Sequence, residues 1–248
     1  GSEIVLRDEP TKEGHTFSGW SEAPATMPAK DVTIEGTFTV NSYVVKYVVD
    51  GEEFATDSIA FGSEITLREE PTKEGYTFSG WSEAPATMPA NDVTVYAQWE
   101  AEEYTITYKD GETTLDSDTY AYGAEVTAIA DPEKEGYSFT GWSPSVPATM
   151  PAENVTVYAQ WETNSYTVTY YVDGVQVGDV ETYQFGAEVT VKDKLAKEGY
   201  DFFGWSYYPE VEVNEEGKFT MPASNVTITA TFRVPPVEST VTVDGAIA

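Results

Sequence analysis

Acid–base or metal chemistry in this chain would have to start at its single histidine, His15, because there is no cysteine to supply a thiolate. A lone imidazole acts as a base when a second group orients it and a nucleophile stands beside it. Position 15 offers neither. It belongs to the phrase Lys12-Glu13-Gly14-His15, which recurs as Lys73-Glu74-Gly75-Tyr76, Lys134-Glu135-Gly136-Tyr137 and Lys197-Glu198-Gly199-Tyr200, so His15 fills a tyrosine slot. The 43 Asp and Glu residues could furnish a glycosidase pair or a calcium loop. Calcium loops need oxygen ligands at alternating positions, a spacing absent from Asp50-Gly51-Glu52-Glu53 and Glu215-Glu216-Gly217. No carboxylate pair stands out for hydrolysis. The expectation is no catalytic residue, no metal, no cofactor and no enzymatic activity.

Lys46 stands where Thr107 and Thr169 stand, so a Lys–Asn isopeptide crosslink would exist in one copy alone. Asn154-Val155-Thr156 and Asn225-Val226-Thr227 fit a glycosylation acceptor, yet both open a strand. The six tryptophans could stack on sugars, but Trp99 and Trp161 align with Phe38 and Phe232, and interchange with Phe marks a core position. The remaining candidates for binding are Tyr207 and Tyr208. They open the stretch Tyr207–Phe219, which the other copies lack and which carries Val211, Val213 and the turn Asn214-Glu215-Glu216-Gly217 of an extra hairpin. A core role for both tyrosines is the competing reading.

The elements behind these residues form a tandem array. The Gly-Trp pairs at Gly19, Gly80, Gly141 and Gly204 step by 61, 61 and 63 residues. Each copy then has a Met-Pro at Met27, Met88, Met150 or Met221 and a closing strand ending at Phe38, Trp99, Trp161 or Phe232. Upstream, strands such as Tyr104-Thr105-Ile106-Thr107-Tyr108 alternate with period two. The following Asp50-Gly51, Asp110-Gly111 and Asp173-Gly174 suit type I′ turns. A second strand runs to the aromatic-Gly pairs Phe61-Gly62, Tyr122-Gly123 and Phe185-Gly186, and a third is expected through Glu64–Arg68. Between Arg68 and Tyr76 there is room for at most a turn or two of helix. The strand through Tyr76, Phe78 and Trp81 follows, with Gly80 admitting a close backbone or ring. The fold class is therefore mainly β.

The series Pro-x-Lys-Glu-Gly-Tyr-x-Phe-x-Gly-Trp followed by Val-Thr-Val-Tyr-Ala-Gln-Trp resembles the Listeria-Bacteroides repeat, the internalin B-repeat family, over nearly the whole chain. That resemblance implies small β-grasp, ubiquitin-like modules strung along secreted or wall-anchored bacterial surface proteins. It carries no catalytic residue.

Boundaries fall at 1–40 for a partial repeat, 41–101 and 102–162 for two full repeats, 163–233 for a repeat with an insertion near 207–219, and 234–248 for a linker and truncated strand. The partial repeat lacks its first hairpin, so it is expected to fray, to lean on its neighbour or to borrow a strand from another chain. A net charge of −30 repels phosphate backbones and anionic lipid, which excludes nucleic acid as a partner. No apolar run approaches the ~18 residues that cross a bilayer, so export signal and anchor are expected outside this segment. The 40% hydrophobic and 14% aromatic content excludes a disordered tail.

Residues 8–33 and 69–94 differ only at Asp8/Glu69, His15/Tyr76 and Lys30/Asn91, as in a spacer whose reach grows with copy number. A repeat of this size has a diameter of roughly 25–30 Å, and three and a half laid end to end span about 100 Å. Linkers free of Gly and Pro, such as Glu100-Ala101-Glu102-Glu103, favour a semi-rigid array over loose beads. The expectation is a monomeric stalk or adhesin scaffold on a bacterial surface. The alternative is a module binding polysaccharide, host-surface or extracellular-matrix protein through Tyr207 and Tyr208.

Overall fold

The structure, a computed structural model, describes residues 1–236; the truncated strand expected beyond Pro236 lies outside the described residues. Two compact units divide the chain. One comprises Gly1–Thr105, Thr119–Val126 and Thr149–Asn154; the other comprises Ile106–Asp118, Thr127–Ala148 and the chain from Val155 onward. The division passes through the third sequence repeat.

In the partial repeat, β1 (His15–Trp20) pairs antiparallel with β2 (Gly36–Val40). The second repeat holds β3 (Ser42–Val49), β4 (Glu52–Ala60), β5 (Tyr76–Trp81) and β6 (Val93–Ala101), ordered β4-β3-β6-β5 across its sheet. The central pair β3–β6 is parallel and the outer pairs are antiparallel. The third repeat repeats that order with β7 (Glu103–Asp110), β8 (Thr113–Ala121), β9 (Tyr137–Ser143) and β10 (Val155–Thr163), as β8-β7-β10-β9. In the fourth, β11 (Ser165–Val172) lies beside β12 (Val175–Gln176) and β13 (Glu181–Gln184). A separate pair joins β14 (Glu188–Thr190) to β16 (Lys218–Thr220), and β15 (Asp201–Tyr208) closes the main sheet on β17 (Val226–Arg233). This is the order of a β-grasp sheet. The crossover that would carry its helix runs extended, and no helix occurs among the described residues.

The inward residues follow the period-two pattern. Val45 and Tyr47 on β3 are buried against Met88 and Val95, with Ile65, Leu67 and Trp81 packed around them. The fourth repeat repeats this with Val168, Tyr170, Met221 and Ile228, and its inserted segment adds Phe219 to that core. Each Gly-Trp tryptophan meets a phenylalanine edge-on, as Phe78 meets Trp81 at 5.4 Å, a geometry that favours ring pairs beyond their buried area.

Four local expectations are corrected. Residues 64–68 are not a strand; the segment makes one bridge, Glu64 to Thr87, because the Pro-rich loop opposite offers few further donors. In the fourth repeat the equivalent Glu188–Thr220 bridge lengthens into the β14–β16 ladder. The insertion does turn at Asn214–Gly217, where the Asn214 side chain accepts from the Glu216 and Lys218 N–H groups. Val211 and Val213, however, make no strand, since Lys218–Thr220 pairs with β14 instead. Asp50-Gly51 and Asp173-Gly174 both take positive φ as a type I′ turn requires, but Asp110 does not and Gly111 does so alone. One residue, Lys109, separates Asp110 from the buried Tyr108, where two separate Asp50 from Tyr47. Finally, nothing lies within 4 Å of the β-carbon position of Gly80; its φ of +134° and a register shift between Phe78 and Gly80 show a β-bulge rather than a close approach.

Candidate functional site

A single residue separates the last strand of each repeat from the first strand of the next: Asn41, Glu102 or Asn164. That residue is pinned from both sides. The Asn41 N–H donates to the Gly14 carbonyl at 2.9 Å, and the Asn41 carbonyl accepts from Phe61 at 2.8 Å. Glu102 repeats this with Gly75 and Tyr122 (2.9 and 2.7 Å), and Asn164 with Gly136 and Phe185 (2.9 and 2.8 Å). The linker side chain is bonded as well. Thr16 donates to Asn41 Oδ1 at 2.7 Å, Thr77 to Glu102 Oε1 at 3.0 Å and Ser138 to Asn164 Oδ1 at 2.5 Å. Hydrogen bonds from Tyr104 and then Thr77 hold the Glu102 carboxyl below its ordinary pKa.

Across each linker an aromatic ring of the following repeat lies on the Lys-Glu-Gly glycine. A β-carbon at Gly14, Gly75 or Gly136 would overlap the ring of Phe61, Tyr122 or Phe185, and all three glycines hold φ between +65° and +76°. Both facts demand glycine, the φ because L-residues are strained there and the overlap because a ring cannot yield to a backbone-fixed atom. The adjacent tyrosine meets the same ring edge-on: Tyr76 and Tyr122 at 5.5 Å, Tyr137 and Phe185 at 5.7 Å. His15 meets Phe61 at 5.8 Å in the same way, with Nδ1 2.7 Å from the Glu13 carbonyl. The lone histidine is a packing element of this joint.

The lysine of the phrase faces the other way, into its own repeat. Lys73 reaches Asp50 at 2.7 Å, Lys134 reaches Asp110 at 2.9 Å and Lys197 reaches Asp173 at 2.7 Å, tying the first hairpin to the third strand. The ammonium group also lies over the neighbouring tyrosine, 4.5 Å from the Tyr76 ring and 4.3 Å from the Tyr200 ring. One phrase of four residues thus clamps a repeat together and seats the next one.

A second recurrent contact involves the two asparagines matching a glycosylation acceptor and the aspartate at the same place in the second repeat. Asp92, Asn154 and Asn225 each accept a hydrogen bond through Oδ1 from the first strand, at the N–H of Val44, Thr105 and Thr167 (2.8, 2.8 and 2.9 Å). Lys46 makes an ordinary surface pair with Glu53 at 3.0 Å. Trp99 and Trp161 stack edge-on against Phe78 and Phe139 at the base of the outer strand.

The tyrosines singled out for binding are separated by the strand alternation. Tyr207 turns inward against the fourth core, 6.4 Å from Phe219, and burial pushes its hydroxyl pKa up. Tyr208 faces out and is 80% exposed, as is Phe203 at 67%. Phe203 stands where the other repeats have Ser18, Ser79 and Thr140. The joint itself was hidden in the sequence, although the aromatic of the Phe61-Gly62 pair always follows its partner glycine at nearly constant separation. Among the described residues no three His, Asp or Glu side chains gather as metal ligands.

Comparison with known proteins places these features in a family. The Listeria-Bacteroides repeat domain matches residues 1–41, 43–98 and 104–160, and the divergent InlB B-repeat domain matches 166–235. Among curated proteins, one from Evansella cellulosilytica named as a membrane protein is 32% identical over 237 residues, covering 81% of this chain and 36% of the relative. Internalin H of Listeria monocytogenes is 37% identical over 110 residues, covering 36% of this chain and 20% of the relative. The chain therefore spans about a third or less of these relatives. Solved structures similar to it include streptococcal SHIRT domains 3–4 of a cell surface protein (13% identity, 54% of this chain, 99% of the other, TM-score 0.21). The Bacillus anthracis TIE protein is another (11% identity, 81% and 54%, TM-score 0.33); these scores are too low to fix the fold. With most of its length matched repeat by repeat, the chain belongs to the Listeria-Bacteroides repeat family.

Proposed function

We propose that this chain is a non-enzymatic, extracellular spacer in a bacterial surface protein, a stalk or scaffold whose reach is set by the number of repeats. The observation that carries this reading is the joint: the same glycine, ring and doubly bonded linker residue recur at Gly14/Asn41/Phe61, Gly75/Glu102/Tyr122 and Gly136/Asn164/Phe185. A joint specified this closely at every boundary is what a load-transmitting array requires, and it has no use in a chain of independent domains. The membrane-protein names of the two Evansella cellulosilytica relatives support a location at the cell envelope.

The test is to delete residues 41–101, or to duplicate them, and to measure the maximum dimension by small-angle X-ray scattering. A spacer changes length by one constant increment of roughly a repeat diameter, 25–30 Å. Unchanged length, or a distribution as broad as that of a flexible chain, overturns the proposal.

A binding role in the fourth repeat is the second reading, supported by the outward Phe203, which stands where the other repeats have Ser or Thr, and by the outward Tyr208 of the inserted stretch. Exposed aromatic rings commonly mark recognition surfaces. Saturable binding to a polysaccharide or extracellular-matrix protein, lost in a Phe203→Ala/Tyr208→Ala variant, would establish it.

A further inference from the structure

The outward face of the fourth-repeat sheet is built of hydroxyls and rings. On β17, Thr227, Thr229 and Thr231 alternate with the buried Val226, Ile228 and Ala230; on β11, Thr167 and Thr169 alternate likewise with Val168 and Tyr170. The parallel register sets Thr169 beside Thr227, and the antiparallel register sets Tyr208 on the other side of Thr227 and Ser206 beside Thr229. Hydroxyl groups thus run across three strands. The two exposed rings stand at the ends of this row. Tyr208 lies at one end of β15, and Phe203 lies at the other, in the bulge between Phe202 and Gly204, with the Arg233 guanidinium 5.4 Å from its ring centre.

This arrangement belongs to the fourth repeat alone. Phe203 and Arg233 stand where the second repeat has Ser79 and Glu100 and the third has Thr140 and Glu162. The strand is also longer: β15 runs eight residues where β5 runs six and β9 seven, and the extension brings Tyr208 alongside Thr227. Among the outward positions of β11, β15 and β17 the one carboxylate is Asp201, and it stands opposite Arg233. In a chain of net charge −30 the face is close to neutral. It is not a joint between repeats. Tyr96 and Tyr158, on the corresponding faces of the second and third repeats, stay 55% and 42% exposed although another repeat follows each.

These groups match a sugar chain. The flat sides of a β-linked pyranose carry C–H groups whose partial positive charge is drawn to the negative face of an aromatic ring. Its rim carries hydroxyls, each of which gives and takes a hydrogen bond, as a threonine hydroxyl does. Phe203 and Tyr208 lie roughly 13–17 Å apart along β15, at about 3.3 Å per residue. One extended chain of several sugar units therefore reaches both rings and runs beside Thr227, Thr229 and Thr231. A neutral chain gives the acidic protein nothing to repel. No aliphatic side chain stands outward between the rings, which leaves a protein partner no pocket for an apolar anchor.

We propose, on the reading that the fourth repeat is a binding module, that its outward sheet face holds a neutral, extended β-1,4-linked polysaccharide. Phe203 and Tyr208 stack on sugar rings, and the threonine row of β17 hydrogen-bonds the hydroxyls between them.

The probes are cellohexaose, chitohexaose and xylohexaose, titrated into the full chain and followed by calorimetry and by amide resonances. The expected result is saturable binding of at least one of them, with shifts concentrated at residues 203–208 and 227–231. A Phe203→Ala/Tyr208→Ala protein binds at least about ten-fold more weakly. A Thr227→Val/Thr229→Val protein keeps the side-chain shape and strand propensity but loses two hydroxyls, and binds about three- to ten-fold more weakly. Tyr96→Ala, on the matching face of the second repeat, leaves binding unchanged. Melting temperatures confirm that each variant is folded. No saturation by any of the sugars up to about 10 mM overturns the proposal, and so does native affinity in either fourth-repeat double variant. Type I collagen is titrated in parallel. Collagen binding that is lost in the ring variant, with no sugar bound, overturns the polysaccharide and leaves the fourth repeat a binding module; absence of both removes that reading as well.

Discussion

Trp161 donates its indole N–H to the Asp110 carboxylate at 3.0 Å, while Trp99, its counterpart one repeat earlier, buries the same N–H with no partner among the described residues. The cause is one residue of spacing. Asp110 follows Tyr108 after Lys109 alone and stays on the strand, within reach of the indole; Asp50 follows Tyr47 after Val48 and Val49 and is carried into the turn. An unpaired buried donor costs free energy that a phenyl ring does not. Trp99→Phe is therefore expected to shift the melting temperature by less than about 2 °C, and Trp161→Phe to lower it by about 3 °C or more. Thermal melts of the two variants check it, and equal losses would dismiss the hydrogen bond as the cause.

The joint gives a second contrast. Gly75→Ala meets two penalties, a left-handed φ and overlap with the Tyr122 ring, whereas Gly199→Ala meets only the first, since nothing lies near its β-carbon position among the described residues. Gly199→Ala is expected to cost roughly 1 kcal/mol and Gly75→Ala about 2–4 kcal/mol. In urea titrations, Gly75→Ala should also split or broaden the transition as the repeats on either side lose their coupling. A cost equal to that of Gly199→Ala would mean that the ring moves aside freely.

Much of this architecture was legible before any coordinates. Period-two alternation in residues 43–47 and 104–108 located the central strands. The interchange of Trp99 and Trp161 with Phe38 and Phe232 suggested core positions, yet both tryptophans are only half-buried, against Phe78 and Phe139, and Trp99 lies outside the cluster around Val45 and Tyr47. What stayed hidden depended on pairing partners distant in sequence. Residues 64–68 alternate like a strand, yet the loop opposite denies them a ladder. The glycine of Gly-Trp signalled an unusual backbone but not whether a bulge or a close neighbour required it. Tyr207 and Tyr208 stood out together as an insertion, and only their direction on β15 separates an inward ring from an exposed one. The joint required knowing that Phe61, Tyr122 and Phe185 fold back onto the preceding repeat, a tertiary fact that no local pattern carries.

Acid should loosen the repeats at identifiable pairs. Hydrogen bonding to Arg68 holds the Asp57 carboxyl below its usual range, and Lys134 does the same for Asp110. A carboxyl whose folded pKa is depressed contributes stability above its unfolded pKa, near 4, and that contribution is lost as pH falls through the folded value. The stability gap between the native chain and an Asp57→Asn/Asp110→Asn variant should therefore be present at pH 7 and shrink as pH falls below the ordinary aspartate range. Melting temperatures from pH 2 to 8 measure the gap; a gap independent of pH would assign the loss to packing.

Met27 and Met88 occupy the same place in adjacent repeats, yet Met27 is 44% exposed and Met88 only 1%. Their local bonds are alike, Met27 N–H to the Ser2 carbonyl and Met88 N–H to the Ser63 carbonyl, both at 2.8 Å. The difference lies in the cover: Val45 and Tyr47 of the first hairpin enclose Met88, and the partial repeat has no such hairpin. Truncating a buried methionine removes its transfer free energy and leaves a cavity, about 2–5 kcal/mol in all, whereas truncation of an exposed one removes little. Met88→Ala should cost within that range and Met27→Ala well under about 1 kcal/mol. Urea titrations of the two variants measure both costs, and equal losses would show that the hairpin's cover is not what buries Met88.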